Sequence, residues 1–231
     1  MGTQPEPSST PRTALNRERV VRAAVALADE AGLEALSMRK LGQRLGVEAM
    51  SLYNHVANKD DLLDGMIDVV FSEIDLPASD AGWRTAMRQR AASVREALAR
   101  HPWATGLMEL RTTPGPTSLR HHEAVLDCLR EAGFSIENAT HAYWLLDSYI
   151  YGFAIQEASL PFGTPEELAE MAEIVLPRVP AETYPRLNEA AAAALASGYD
   201  YTHEFEFGLD LILDGLERLL DSARESGATV H

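Results

Sequence analysis

The sequence predicts an all-α protein: a small N-terminal three-helix unit built around a helix-turn-helix, followed by a larger helical domain. Three observations predict it. Apolar residues recur at helical spacing through almost every segment. Gly and Pro punctuate the 231 residues at helix-length intervals. Short polar residues stand where helices should begin.

Taken in order, residues 1–14 are rich in Pro, Ser and Thr and read as a disordered arm. Asn16 is the cap of a first helix, in which Val20, Ala24, Leu27 and Ala31 share one face before Gly32 stops it. Ser37 caps the next, and Leu36 and Leu41 hold the positions of a hydrophobic staple. Asn58 caps a helix over 59–75, with Asp60, Asp61 and Asp64 near its positive end and Leu62, Leu63, Met66, Val69 and Val70 facing inward. Pro77 ends that stretch, and Ala78–Gly82 forms a linker. Helices are then predicted over 83–100, 104–110, 117–132, 136–160, 165–175, 182–196 and 202–224, separated by Pro and Gly clusters. The domain division is therefore 1–14, 15–75 and 76–231.

Charge is divided along the chain. The net charge is −15, yet residues 12–59 carry eight Arg/Lys against five Asp/Glu, and both lysines, Lys40 and Lys59, lie there. A polyanion would be drawn to that end and repelled by the rest. No apolar run approaches the roughly 20 residues that cross a bilayer, so no membrane partner is expected. The lone Cys128 fits a reducing cytoplasm.

The informative stretch is Ser37 to Val56. Leu41 and Leu45 form one apolar stripe, Leu52 and Val56 another. Gly46 lies at the sharp turn between two short helices, and Gly42 leaves room for them to cross closely. Neither helix can bury its apolar face alone, so the helix over 16–31 must supply the third side. Met50, Ser51, Tyr53, Asn54 and His55 then lie on the outward edge, where their hydroxyl, amide and imidazole groups suit bases and phosphates of a DNA major groove.

These residues resemble the DNA-binding domain of the TetR family of regulators, in particular its tetracycline-repressor branch. The likeness is carried by Ala31-Gly32, Ser37 to Gly46, Leu52 to Val56 and Asn58 to Leu63, and continues in Gly133 to Ala139 and Phe207 to Glu217. The resemblance implies that Ser37 and Arg39 touch DNA from the first helix of the motif, with Arg39 suited to guanine. It further implies that Ala49, Met50 and Ser51 face bases, and that Tyr53 and His55 hold phosphates. Asn54 lies on the same edge, and Lys59 meets a phosphate at the start of the next helix. Ala49-Met50 stand where the tetracycline repressor has polar and Pro residues, so a different operator is expected. The family binds near-palindromic double-stranded operators as homodimers.

The resemblance also implies a dimer made by helices 136–160 and 202–224, through Leu146, Ile150, Phe153, Leu209, Ile212, Leu213 and Leu216. The first of these helices is apolar nearly all round, so it must be covered on every side. A small-molecule effector is expected in a pocket of Met87, Arg90, Val94, Met108, Glu109, Thr112, His122, Tyr143, Asp147 and Gln156, whose apolar walls carry a few polar groups. Tetracycline repressors use a His to chelate drug-bound magnesium. Glu109 and Gln156 fall at the positions of that His and of the Glu that assists it, so a larger or more hydrophobic effector is expected instead. His121, His122 and Glu123 are adjacent and point about 100° apart on a helix, poor geometry for a metal; no metal site or cofactor is expected. An enzyme would have to use His121, His122, Asp147 and Glu109, and no phosphate loop, nucleophile elbow or HExxH spacing accompanies them. No catalytic residue is assigned. A DNA-binding protein whose larger domain recognises a protein, or only dimerises, is the remaining alternative.

Overall fold

Helix starts are set by short side chains that accept from backbone N–H groups the helix itself leaves open. Asn16 accepts from Arg19 at 2.8 Å, Ser37 from Lys40 at 3.3 Å, and Asn58 from Asp61 at 2.8 Å. The computed structural model describes residues 14–78, 81–110, 114–198 and 200–228. The expected arm before residue 14, the middle of the Ala78–Gly82 linker, and Thr112 lie outside the described residues, as does the side chain of Glu109.

Among the described residues the chain forms eleven α-helices and no strand. The first four are α1 (Arg17–Ala31), α2 (Met38–Leu45), α3 (Ala49–Leu52) and α4 (Lys59–Ser72). There follow α5 (Trp83–Arg100), α6 (Thr105–Leu110), α7 (Pro116–Glu131) and α8 (Ile136–Ala158). Last come α9 (Pro165–Val175), α10 (Pro185–Ser197) and α11 (Tyr201–Ala228). Helices α5 and α9 match their predicted limits. The helix expected to run to residue 75 stops at Ser72, and helix α3 is a single turn, with Tyr53–His55 continuing as turns.

Apolar side chains bury into two clusters. Val20, Ala24, Leu41, Leu52, Val56 and Leu62 knit α1–α4 together. Val94, Leu129, Leu146, Ile150, Leu209 and Leu213 hold α5, α7, α8 and α11. Helix α4 belongs to both, since Leu62, Leu63 and Met66 enter the first cluster and Ile67, Val70 and Phe71 the second. A rigid element shared by two cores carries displacement from one to the other.

The turn between α2 and α3 is as tight as the two glycines predict. Gly46 adopts φ 70°, ψ 34°, the left-handed cap that costs L-residues strain. A Cβ on Gly42 would stand 2.8 Å from the Val47 carbonyl oxygen and 3.2 Å from the Ala49 nitrogen. Both obstacles are backbone, so they yield only if the helices move apart. Gly42→Ala is expected to cost about 2 kcal/mol, read as a lowered midpoint in urea; an unchanged midpoint would contradict the close crossing.

Candidate functional site

The outward edge of the helix-turn-helix is where the sequence places it. Met50 is 74% exposed and Tyr53 43%, Ser37, Arg39, Asn54 and Lys59 are exposed, and Ala49, Ser51 and His55 are half-buried. The cations there differ in availability. Arg44 is held by both carboxylate oxygens of Glu30 at 2.6 Å, Arg22 meets Glu18, and Arg17 meets Asp61. Arg39, Lys40 and Lys59 have no ion pair among the described residues, which leaves their charge for an outside anion. Lys40 was missed in the sequence reading; its neighbourhood to Arg39 on an exposed helix was the available signal.

A clamp fixes this edge. Arg17 forks onto Asp61 at 2.6 and 2.8 Å and reaches the His55 carbonyl at 3.3 Å. Asp61 also accepts from the Ala57 N–H at 2.7 Å. The turn carrying Tyr53, Asn54 and His55 is thereby tied to both α1 and α4. The Arg17 hydrogen bond holds the Asp61 carboxyl below its ordinary range despite some burial.

Behind the motif lies a cavity of about 230 Å³. Its walls come from four helices and one turn: Asp64, Ile67 and Phe71 of α4; Met108 of α6; Ser118 and His122 of α7; Tyr143, Trp144, Asp147 and Tyr151 of α8; Pro114 and Gly115 before α7. Of the expected pocket residues, the structure brings together Met108, His122, Tyr143 and Asp147. Met87 and Val94 do not line the cavity; they are buried in the core between helices. Gln156 is exposed on α8, away from this wall. Arg90 is buried behind it, with Nη2 2.8 Å from Asp147 Oδ1. Arg90 Nε and Asp147 Oδ1 have no hydrogen-bond partner among the described residues. The residues missed by sequence reasoning are those of α4 and the turn before α7, together with Ser118 and Tyr151.

The expected interface residues are also placed. Leu146, Ile150, Leu209, Leu213 and Leu216 point into the chain's own core, and Phe153 and Ile212 are half-buried against it. Fully buried side chains have no surface to offer a partner, so the first five are corrected, while Phe153 and Ile212 keep part of their surface. On the same helices, Trp144 (60%), Leu145, Ile155, Phe207 (58%) and Leu211 (57%) face outward. The acidic face of α11 is bound to α5: Asp210 pairs with Arg88, and Asp214 and Glu217 with Arg84.

Two contacts tie the motif to the larger helical body. Asp68 of α4 accepts from the Thr117 N–H at 2.8 Å, the Thr117 hydroxyl at 2.9 Å and the Ser118 N–H at 3.1 Å, capping α7 from outside its own chain segment. His101 lies between Asp29 of α1, at 2.7 Å from Nδ1, and Glu73 after α4, at 3.1 Å from Nε2. The Trp103 indole donates to the same Asp29 oxygen at 2.6 Å. Burial pushes Glu73 up, but bonds from His101 and Arg100 outweigh it and hold its carboxyl below the ordinary range.

These environments set an acid limit. Burial pushes both His121 and His122 below the ordinary imidazole value of 6.5. The unfolded chain therefore takes up more protons there, and stability falls as pH drops below 6.5. Asp61 and Glu73 stabilise fully above the ordinary carboxylate values of 3.8 and 4.5, and their contribution disappears as pH falls through their lowered values. Urea midpoints are expected to decline from pH 7.5 to 5.5 and again below about pH 4. A flat profile down to pH 5 would contradict the buried imidazoles.

The described residues contain no group of three or more His, Cys, Asp or Glu arranged to hold a metal, and no helix long and apolar enough to cross a membrane.

Comparison with known proteins agrees with this geometry. Residues 20–66 match the family model described as bacterial regulatory proteins, tetR family, and residues 76–220 the tetracyclin repressor-like C-terminal domain. The HTH-type transcriptional repressor DrrR1 of Streptomyces coeruleorubidus is 37% identical across 96% of this chain and 84% of its own length. The class C tetracycline repressor protein of Escherichia coli is 30% identical across 89% of this chain and 92% of its own. Among solved structures, apo ActR of Streptomyces coelicolor superposes with a TM-score of 0.76 at 30% identity, covering 90% of this chain and 98% of ActR. ActR in complex with actinorhodin gives 0.75 at 31% identity, covering 89% and 98%. With both parts of the chain matched and its helix-turn-helix edge exposed, this protein belongs to the TetR family of bacterial transcriptional regulators.

Proposed function

We propose that the chain is a ligand-responsive repressor that binds a near-palindromic operator as a homodimer in the cytoplasm and is released by a small-molecule effector. The observation that carries it is the clamped, exposed edge from Met50 to His55, flanked by Arg39, Lys40 and Lys59, which have no ion pair among the described residues. Residues 15–75 hold the DNA and residues 76–231 regulate and dimerise. Arg39 reads a guanine, while Ala49, Met50 and Ser51 meet base edges. Asn54 borders the groove, and Ser37, Tyr53, His55 and Lys59 position the phosphate backbone.

The outward stripes of α8 and α11 form the dimer face. Leu145 and Ile155 border Ser148 and Gly152 on one helix, and Phe207 and Leu211 stand on the other. Large apolar side chains left in water on two long helices favour a second copy, and the small residues between them admit close approach. Leu211→Glu is expected to turn a dimer into a monomer in sedimentation at micromolar concentration; a variant that stays dimeric would contradict this face.

The cavity is the effector site. A ligand inside it touches Asp64, Ile67 and Phe71 of α4, the helix shared by both cores. Occupation therefore biases the position of α4 and, through the clamp, of the recognition edge, which is a population shift between two dimer states. The effector is not a magnesium–tetracycline complex, since Glu109 and Gln156 stand where the resemblance places the chelating His and the Glu that assists it. The test is fluorescence anisotropy on duplex DNA flanking the protein's own gene, at fixed salt, with and without a library of small molecules. Tight binding weakened by at least one compound is the expected result. Binding that no compound alters would remove the effector from the proposal.

A further inference from the structure

Two polar side chains of the cavity wall are short of hydrogen bonds. Asp147 is 3% exposed, and its charge is already answered, since Arg90 Nη2 stands 2.8 Å from Oδ1. Its bonding is not complete. Oδ1 has no hydrogen-bond partner among the described residues, and Oδ2 takes the Tyr151 hydroxyl at a long 3.4 Å. A carboxylate offers about four lone-pair sites, and leaving them unfilled in a buried place costs free energy. What Asp147 lacks is a donor and not a cation. His122 is half-buried on the same wall, and neither of its ring nitrogens has a hydrogen-bond partner among the described residues. Burial pushes it toward the neutral form, which carries one donor and one acceptor. Its ring is edge-on to Phe71 at 5.8 Å and to Tyr143 at 5.3 Å, and both of those rings line the cavity. A hydroxyl donates and accepts at one atom, so it can serve Asp147 and His122 together.

We propose that the cavity takes an aromatic molecule bearing a hydroxyl, its rings against Phe71 and Tyr143, its O–H donating to the Asp147 carboxylate and its oxygen accepting from His122. This rests on reading the cavity as the effector site, and adds the polar group the ligand carries. An ether in the same place brings no donor and leaves Asp147 as short as before. A bare hydrocarbon satisfies neither side chain.

Three probes suited to a cavity of about 230 Å³ separate these cases: 2-naphthol, 2-methoxynaphthalene and naphthalene. Their binding to the DNA-free full chain at neutral pH is read by ligand fluorescence. Burial alone ranks naphthalene ahead of 2-naphthol, because it leaves no hydrogen bond behind in water. The expected order is the reverse, with 2-naphthol tighter than either of the others by about tenfold. His122→Phe keeps a ring against Phe71 and Tyr143, and is expected to cut that advantage by about threefold or more with naphthalene unchanged. The ranking on the native chain needs no variant, so an H122F protein that fails to fold does not obscure it. Equal or tighter binding of naphthalene or the ether would overturn the hydroxyl class while leaving the site reading intact. A preference for 2-naphthol that a folded H122F keeps whole would place the hydroxyl away from His122 and overturn the proposal. Absence of binding by all three would overturn both.

Discussion

Replacing Arg39 by Ala is expected to weaken operator binding by about tenfold to a hundredfold while leaving the fold intact. The side chain is exposed at the start of α2 and has no ion pair among the described residues. Its removal therefore breaks nothing internal, and the change in stability should stay within about 0.5 kcal/mol. If Arg39 holds a guanine by two parallel hydrogen bonds, the loss falls on the specific site and spares random duplex. Lys40→Ala should behave differently. A phosphate contact weakens all sequences alike and lowers the salt dependence by about one counterion. Arg44→Ala is the control, because Glu30 already engages that guanidinium. Equal operator affinity for the native chain and the Arg39 variant, measured at one salt concentration, would contradict the docking geometry.

Asp68→Ala is expected to have the largest effect away from the DNA edge. Three donors at the start of α7 lose their acceptor, and two are backbone N–H groups that a helix cannot satisfy itself. A lost cap combined with half-buried orphan donors costs about 2–3 kcal/mol. The carboxylate's favourable charge at the helix N-terminus goes too. Asp68→Asn keeps one acceptor oxygen and should lose less. Gly115→Ala attacks the same contact from the other side, since its Cβ would stand 2.4 Å from Asp68 Oδ1. Because this contact joins α4 to a wall of the cavity, both variants should also blunt the response of operator affinity to effector. Denaturation and ligand titration together check this. Full stability with an undiminished response in D68A would show that the contact transmits nothing.

How much of this was legible in the sequence depended on range. The helix-turn-helix was readable because its signals are local. Asn16, Ser37 and Asn58 cap helices three residues away, and Gly32 and Gly46 take positive φ at the turns. Five of the expected dimer residues turn into the chain's own core for a definite reason. Periodicity shows that α8 and α11 have apolar stripes, but each helix has two. Leu209 and Leu213 differ from Phe207 and Leu211 only in which stripe meets α8 of the same chain. The pocket was half legible: Met108, His122, Tyr143 and Asp147 line it, whereas Met87 and Val94, equally apolar, turn into the core. Asp64, Phe71 and Gly115 join it only because α4 packs along α7, a meeting of residues some fifty positions apart that no local pattern encodes.

The central claim is that two copies of one clamped edge read one duplex. In vitro selection from a random duplex library, with purified full-length chain at fixed salt, tests it most directly. The account predicts enrichment of an inverted repeat whose half-sites place two recognition edges on one face of the double helix, about one turn or a multiple apart. Enrichment of no sequence, or of a single unrepeated half-site bound by a monomer, would contradict it.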